Sequence, residues 1–303
     1  MIVEIYEPAC VSTDDVDSSG AAVAFETTGE GGDGPRVSCL MVTKGDPGFV
    51  QCAVESFMRQ SYPDKELIVV CDRSARELEQ CLASIEPGHV RVVRATRKKC
   101  FLQFASCLCK VVALGRYGSA LRLLKGLVAN RWPLGFLRNL AVSEASGDLV
   151  CQWDDDDLYH KERISVQVAA LLESGAAAVM LKRWLVWVPA REMLVVSVPR
   201  IWEGSMLAWK KLLPRYRPVA RAEDTALVNK LCRRHRVGLL DMPELYCYTV
   251  HGANTWGVDH FDGILKACKP HSEGYMDGLR KLKGKLPFER HPHFRREAAD
   301  LSD

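Results

Sequence analysis

The chain has 303 residues, of which 48% are hydrophobic, and a formal net charge of +3 at pH 7. This size allows one large or two small globular domains with a substantial core. The small charge imbalance argues against nucleic acid as the main partner. We find neither a run of the roughly 18 apolar residues that a membrane-spanning helix needs nor a signal-peptide pattern, so a cytoplasmic protein is expected.

The twelve cysteines are expected to be reduced thiols. Cys39, Cys71 and Cys151 lie inside apolar, strand-like runs, where a small buried thiol is common. The sequence has no CxxC pair and no Cys/His spacing that is typical of a structural zinc site. These cysteines are therefore predicted to fill space in the core.

Residues 1–35 are predicted to form a flexible acidic leader, because residues 11–35 contain few large apolar side chains and cannot offset the entropy lost on folding. From residue 37 onward, apolar strands alternate with helices. This alternation predicts a parallel sheet that is covered on both faces. The predicted strands are 37–42, 66–71 and 90–93, and the predicted helices are 50–58 and 76–85.

A stretch rich in Leu, Val, Cys, Lys and Arg interrupts the alternation at residues 97–135. We interpret it as a helical insertion that packs on the main domain, and peripheral contact with a membrane surface is the alternative interpretation. The main domain is predicted to span residues 36–270. Residues 271–303 are polar and basic, and they are predicted to be a solvated C-terminal extension.

Four consecutive aspartates, residues 154–157, follow the apolar run 149–153. Open α/β sheets bind ligands outside the carboxyl ends of their strands, and hard carboxylate oxygens suit Mg²⁺ or Mn²⁺. A metal site is therefore one interpretation of the aspartate run. The other is a solvated turn in which Asp156 or Asp157 caps the helix that is predicted at 160–173 and that ends at Gly175.

An Ala-rich strand at 176–181 comes next, followed by aromatic strands. These aromatic strands carry Trp184, Trp187 and Trp202. The indoles could line a sugar pocket, but indole side chains are mostly buried in proteins. Core packing is therefore predicted for at least two of the three.

Several motifs follow one another in a particular order. Residues 60–64 (QSYPD) lead into the strand that ends at Asp72, and Arg138-Asn139, the aspartate run and Glu223-Asp224 come later. This order resembles the family 2 glycosyltransferases of the GT-A fold. The resemblance implies an α/β domain with a Rossmann-like, mostly parallel central sheet flanked by helices. It also implies a divalent cation and transfer of a sugar, with inversion, from a nucleotide-sugar donor that is UDP-linked by the same resemblance.

On the donor side, the resemblance assigns contacts with the nucleotide sugar. Asp72 matches the acid that hydrogen-bonds the nucleobase, and the guanidinium of Arg138 suits a phosphate or a base. A divalent ion that bridges both phosphates would stabilise the charge of the departing diphosphate. The expected ligands of Mn²⁺ or Mg²⁺ are Asp155, Asp156 and His251. The expected donor contacts are Thr43, Lys44, Asp72, Arg138, Asp154 and Asp155.

On the acceptor side, inversion by single displacement needs a general base that takes the proton of the attacking hydroxyl. Asp224 matches the family's catalytic base, and Glu223 is expected to hold the acceptor or to orient the base. A carboxylate that merely caps a helix is the alternative for this pair. Trp202, Glu203 and Gly204 resemble the acceptor-side loop that precedes the pair.

Two other functions remain open at this point. One is a sugar nucleotidyltransferase, which residues 44–48 (KGDPG) disfavour because they make a poor glycine-rich phosphate loop. The other is a catalytically silent nucleotide- or glycan-binding module of the same fold, which would have no need for a base. The sugar, the oligomeric state and the nature of the acceptor, whether a glycan, a lipid-linked molecule or a protein, are not predicted.

Overall fold

In a computed structural model, the protein forms two β-sheets flanked by helices. The structure describes residues 3–8, 34–71, 78, 82, 88–96, 132–252 and 254–294. The strands are β1 Val3–Tyr6, β2 Val37–Thr43, β3 Lys65–Cys71, β4 Val90–Arg94, β5 Leu149–Gln152, β6 Leu158–Tyr159, β7 Ala178–Leu181, β8 Leu185–Val188, β9 Met193–Val196, β10 Trp202–Trp209, β11 Val237–Leu240, β12 Tyr246–Thr249 and β13 Lys269–Pro270. The helices are α1 Pro47–Met58, α2 Leu134–Glu144, α3 Arg163–Ser174, α4 Glu223–Arg234, α5 Val258–Leu265 and α6 Tyr275–Leu282.

The larger sheet has eight strands in the order β1-β11-β7-β10-β5-β2-β3-β4. Strands β5, β2, β3 and β4 run parallel, whereas β10 is antiparallel to both of its neighbours. Strands that are covered on both faces are apolar throughout, and β3 is buried from Glu66 to Cys71. The predicted mostly parallel sheet is confirmed. Cys39, Cys71 and Cys151 are buried in it, as predicted.

The smaller sheet has the order β13-β9-β8-β12-β6. Strand β5 belongs to the larger sheet and β6 to the smaller one, and residues 153–157 connect the two strands. The aspartate run therefore lies where the chain passes from one sheet to the other. Among the residues that the structure describes, no helix combines the length and the apolar character needed to cross a membrane.

The helix that follows the aspartates does not use them as a cap. Helix α3 begins at Arg163 after Glu162, whose side chain does not cap it, and the N–H of Ile164 in the first turn donates to Oε1 of Gln60 at 3.1 Å. The capping interpretation of Asp156 and Asp157 is therefore wrong, because both carboxylates are bonded elsewhere. The predicted end of the helix is confirmed, since Gly175 has a left-handed backbone with φ 61°.

Both ends of the chain contribute more structure than their compositions predict. Residues 3–6 of the predicted leader form β1, which pairs antiparallel with β11. In the predicted polar extension, the leucines of α6 and the turn after it are buried while the basic side chains stay exposed. The composition of this segment did not reveal its apolar residues at helical spacing, because charged residues stand between them in the sequence. The domain boundaries remain predictions, and residues 9–33 and 97–131 lie outside the described part of the chain.

Helix α2 holds the loop that leads into α4. The Asn139 amide bonds the backbone of Tyr216 twice, donating to its carbonyl at 2.8 Å and accepting from its N–H at 3.0 Å. The N–H of Gly135 donates to the carbonyl of Val219 at 3.0 Å. A Cβ at Gly135 would lie 1.9 Å from the carbonyl oxygen of Arg217. Only glycine allows this approach, so α2 sets the position of the loop.

We expect Gly135→Ala to displace this loop and to lower the free energy of unfolding by about 1–3 kcal/mol, as overpacking against backbone usually does. The matched control is Gly263→Ala in α5, where no atom lies within 4 Å of the added Cβ. The control should leave stability unchanged or raise it slightly. Urea unfolding of both variants checks this, and equal stabilities would contradict the close approach.

Candidate functional site

The carboxyl ends of two neighbouring parallel strands meet at the aspartate run. Thr43 is the last residue of β2, and the run begins two residues after β5 ends. The hydroxyl Oγ1 of Thr43 donates a hydrogen bond to Oδ2 of Asp155 at 2.5 Å. The structure thus brings together two residues that were predicted to contact the donor.

Asp155 lies in an environment that disfavours its charge. Burial, and next the negative charge of Asp156, raise its pKa to about 7, although the hydrogen bond from Thr43 lowers it. A carboxyl group with such a pKa is only partly ionised near neutral pH. A cation placed beside it would favour the ionised form, so this position suits a divalent ion.

Asp157 has different hydrogen-bond partners from the other three aspartates. It is buried, and it accepts hydrogen bonds from the Tyr246 hydroxyl at 2.5 Å and from the Thr249 N–H at 2.8 Å. Burial raises its pKa well above the ordinary value, and Asp156 and Asp154 add to this shift. Both partners belong to β12, so Asp157 attaches the loop to the smaller sheet.

Asp156 pairs with the histidine that was predicted to join it. Nε2 of His251 lies 3.0 Å from Oδ2 of Asp156, and the Asn254 amide donates to the same oxygen at 3.4 Å. The other ring nitrogen of His251 is buried, and no described residue forms a hydrogen bond with it. In the part of the chain that the structure describes, no three His, Cys, Asp or Glu side chains form a metal-binding group. A carboxylate and an imidazole still fit Mn²⁺ or Mg²⁺, because such sites complete their coordination with substrate phosphates and water.

Two histidines near the C-terminus join this edge of the site and were not predicted. Nε2 of His291 lies 3.3 Å from the carbonyl oxygen of Asp156, and the His293 ring stacks on His251 with centroids 5.1 Å apart. Phe49 of α1 packs against His251 at 4.8 Å. Burial lowers the pKa of His291 to about 3, so its ring is neutral. The two histidines of the His-Pro-His sequence were the available signal for this contact. The basic composition around them favoured a solvated surface instead.

Arg163 is a buried cation that packs against aromatic residues next to the aspartate run. Arg163 is fully buried, and its guanidinium carbon lies 5.3, 4.7 and 4.9 Å from the ring centres of Trp153, Tyr159 and Tyr246. Its Nη2 donates to the carbonyl of Gln152 at 3.0 Å. Aromatic faces stabilise a cation when water is excluded. Trp153 and Tyr159 flank the aspartate run, so the packing of Arg163 fixes both ends of the run.

Arg138 connects the aspartate run to the Glu223-Asp224 pair. Its Nη2 donates to Asp154 at 2.9 Å, and its Nε donates to Glu223 at 2.8 Å. Burial alone would lower the pKa of Arg138, but the two carboxylates raise it well above its usual value. Its Nη1 is buried and has no hydrogen-bond partner among the residues that the structure describes. Contact between Arg138 and a nucleotide remains a prediction, since two of its nitrogens bind protein carboxylates.

The Glu223-Asp224 pair opens helix α4. The residue before it, Ala222, has φ 52°, a left-handed conformation that is unfavourable for alanine and that concentrates at functional sites. Glu223 is buried against Arg138, whereas Asp224 is less buried and accepts only the N–H of Thr225, at 2.8 Å. Burial and then Glu223 raise the pKa of Asp224 to about 6. Such a carboxyl group can accept a proton near neutral pH.

The predicted acceptor-side residues lie at the start of β10. Trp202 is buried and stacks on Trp184 with centroids 4.2 Å apart. A Cβ at Gly204 would lie 3.4 Å from the Trp184 ring, and Glu203 pairs with Arg200 at 2.8 Å. Trp184, Trp187 and Trp202 are all buried, so the core-packing prediction is confirmed. Their contact with an acceptor remains a prediction.

Two residues that were predicted to contact the donor are not tested by the geometry of the site. Lys44 follows β2 and is exposed to solvent. Asp72, predicted to bind the nucleobase, lies outside the described residues. The assignments of both to the donor therefore rest on the sequence.

No family model and no curated protein matches the chain. Among solved structures, it is similar to S. aureus TarS 1-349 in complex with UDP-GlcNAc, with a TM-score of 0.52 and 14% identity over 88% of this chain and 70% of that chain. It is also similar to the mannosyltransferase PcManGT from Pyrobaculum calidifontis in complex with GDP-Man and Mn²⁺, with a TM-score of 0.51 and 16% identity over 88% and 69% of the two chains. In the match with another structure of TarS 1-349, this chain spans 60% of the length of that protein. The structural similarity shows that the chain has the GT-A fold. At identities this low, the similarity establishes the architecture alone.

Proposed function

We propose that the protein is a metal-dependent glycosyltransferase that transfers a sugar from a nucleotide-sugar donor, expected to be UDP-linked, to an acceptor hydroxyl with inversion. One observation carries the proposal. Arg138 bonds both Asp154 and Glu223. This single buried side chain thus connects the aspartate run, which suits a cation, with the Glu223-Asp224 pair, which suits proton transfer. The GT-A fold adds support, because two proteins with this fold bind UDP-GlcNAc and GDP-Man.

On the donor side, Asp156 and His251 are the proposed ligands of Mn²⁺ or Mg²⁺, with Asp155 beside them. When bound, the cation would neutralise charge on the departing diphosphate. Thr43 holds Asp155 in place through its hydroxyl. Lys44, Asp72, Arg138 and Asp154 complete the proposed contacts with the nucleotide sugar.

On the acceptor side, Asp224 is the proposed base. The acceptor oxygen forms a bond to the anomeric carbon while the bond from that carbon to the diphosphate breaks, and Asp224 receives the hydroxyl proton. Glu223 is less suited to this role, because its carboxylate is buried and bonded to Arg138. We assign Glu223 to orienting the base through the start of α4. Trp202, Glu203 and Gly204 remain proposed acceptor contacts.

Thermal unfolding of the protein with UDP or GDP, with and without Mn²⁺, tests the donor site. A ligand that binds only the folded protein stabilises it by about 2.7 kcal/mol at a hundred times its Kd. We expect one nucleotide to raise Tm only with Mn²⁺, and Asp156→Ala to abolish that shift. The control Asp148→Ala removes an exposed aspartate at the opposite end of β5 and should retain the shift. If neither nucleotide shifts Tm, the silent-module alternative is favoured. If the Tm of Asp156→Ala shifts as much as that of the wild-type protein, the metal site lies elsewhere.

Asp224→Asn tests the base. It should keep the Mn²⁺-dependent nucleotide shift and lower transfer by roughly 10²–10⁴-fold, the usual contribution of general-base catalysis. Because burial and Glu223 raise the pKa of Asp224 to about 6, the wild-type rate should rise as pH increases through this value, where the carboxyl group becomes ionised. Release of nucleoside diphosphate from UDP- and GDP-sugars, with and without glycan acceptors, measures both effects. Full activity in Asp224→Asn would remove Asp224 as the base.

A further inference from the structure

The loop between β10 and α4 carries a concentration of positive charge. Arg215, Arg217 and Arg221 are exposed, and none of them pairs with a carboxylate in the described residues. Some exposed arginines elsewhere do pair, as Arg191 does with Asp262 at 2.6 Å. Three arginines without acidic partners on one short loop leave guanidinium donors available to an anion.

An exposed indole adjoins this loop. Trp256 is 39% exposed, whereas the other six tryptophans are each 7% exposed or less. The guanidinium carbon of Arg221 lies 5.7 Å from the Trp256 ring centre, and the His260 ring stacks on the same indole with centroids 4.7 Å apart. The part of the indole that stays exposed beside the guanidinium offers both an apolar surface and a charged donor to one ligand.

The position of this pair links it to the proposed reaction. Arg221 precedes Glu223 by two residues on a loop that α2 holds in place. Trp256 follows Asn254 by two residues, and Asn254 contacts Asp156. The two chain segments that supply the proposed base and the proposed cation edge therefore meet at Arg221 and Trp256.

We propose that Arg217, Arg221 and Trp256 form a subsite for an acceptor glycan that carries negatively charged groups. This inference rests on the proposed glycosyltransferase function and specifies its acceptor. A sugar ring stacks on the indole, and a phosphate or carboxylate of the glycan bonds the guanidinium groups. An anionic chain would otherwise be repelled by the aspartates and by the Glu223-Asp224 pair, and the arginines offset that repulsion.

Titration of the full-length protein with glycans tests the subsite directly. The probes are oligogalacturonate, which carries carboxylates, its neutral methyl ester, and a phosphorylated mannose oligosaccharide. Trp256 is the most exposed tryptophan, so binding of a glycan on its face should change the intrinsic fluorescence. We expect one or both anionic glycans to bind and the methyl ester to bind at least roughly tenfold more weakly, since charge-assisted hydrogen bonds are the strong ones. The anionic glycan that binds identifies carboxylate or phosphate as the recognised group.

Two double variants that remove equal charge separate this site from a general basic surface. Arg217→Gln/Arg221→Gln should weaken anionic glycan binding by roughly tenfold or more. Arg233→Gln/Arg234→Gln changes two exposed arginines at the end of α4 and should change binding less than twofold. In calorimetry, Trp256→Leu should weaken binding as well. Equal losses in the two double variants, or equal binding of the neutral ester, would overturn the proposal.

The nucleotide measurement distinguishes failure of this inference from failure of the proposed function. If Arg217→Gln/Arg221→Gln abolishes the Mn²⁺-dependent nucleotide shift, the arginines serve the donor and the acceptor inference is wrong. If nucleotides stabilise the protein but neither anionic glycan binds, the function stands and the acceptor inference is wrong. If the anionic glycan binds but no nucleotide does, the subsite stands and the transferase proposal is wrong.

Discussion

Four adjacent carboxylates at the edge of one sheet repel each other, and the surrounding structure is arranged to bear that repulsion. Each carboxylate has its own partner, and the partners come from three different parts of the chain. Arg163 is buried against Trp153 and Tyr159, the aromatic residues on either side of the run. The pairs are Asp154 with Arg138, Asp155 with Thr43, Asp156 with His251, and Asp157 with Tyr246. The loop is therefore held in one shape even though its charges oppose one another.

The different partners also give the individual aspartates of the run different roles. Asp157 lies deepest and attaches the loop to the smaller sheet, so it serves structure. Asp154 shares Arg138 with Glu223, which couples the position of the loop to that of helix α4. Loss of Arg138 would leave two carboxylates without their cation, and removing one partner of a buried ion pair is strongly destabilising. Asp155 and Asp156, whose partners are a hydroxyl and an imidazole, are the aspartates that we propose as available to a cation.

The site residues that the family resemblance assigned were predicted, whereas those from the C-terminal segment were not. Thr43, Asp155, Asp156 and His251 were predicted, and the structure brings them together in two contacting pairs. His291 lies 135 residues from Asp156, and its approach depends on the packing of the C-terminal segment. The composition of that segment signals solvent exposure, because its leucines are separated by charged residues.

The sequence by itself determined the alternation of strands and helices, the mostly parallel sheet and the placement of acidic residues at strand ends. These features follow from local hydrophobic period and from the geometry of crossover connections, both of which act over short stretches of chain. Only the tertiary structure decided which carboxylate faces which partner, why Gly135 is required, and that Arg221 meets Trp256. Such contacts depend on how distant elements pack, since four identical aspartates are distinguished only by their surroundings.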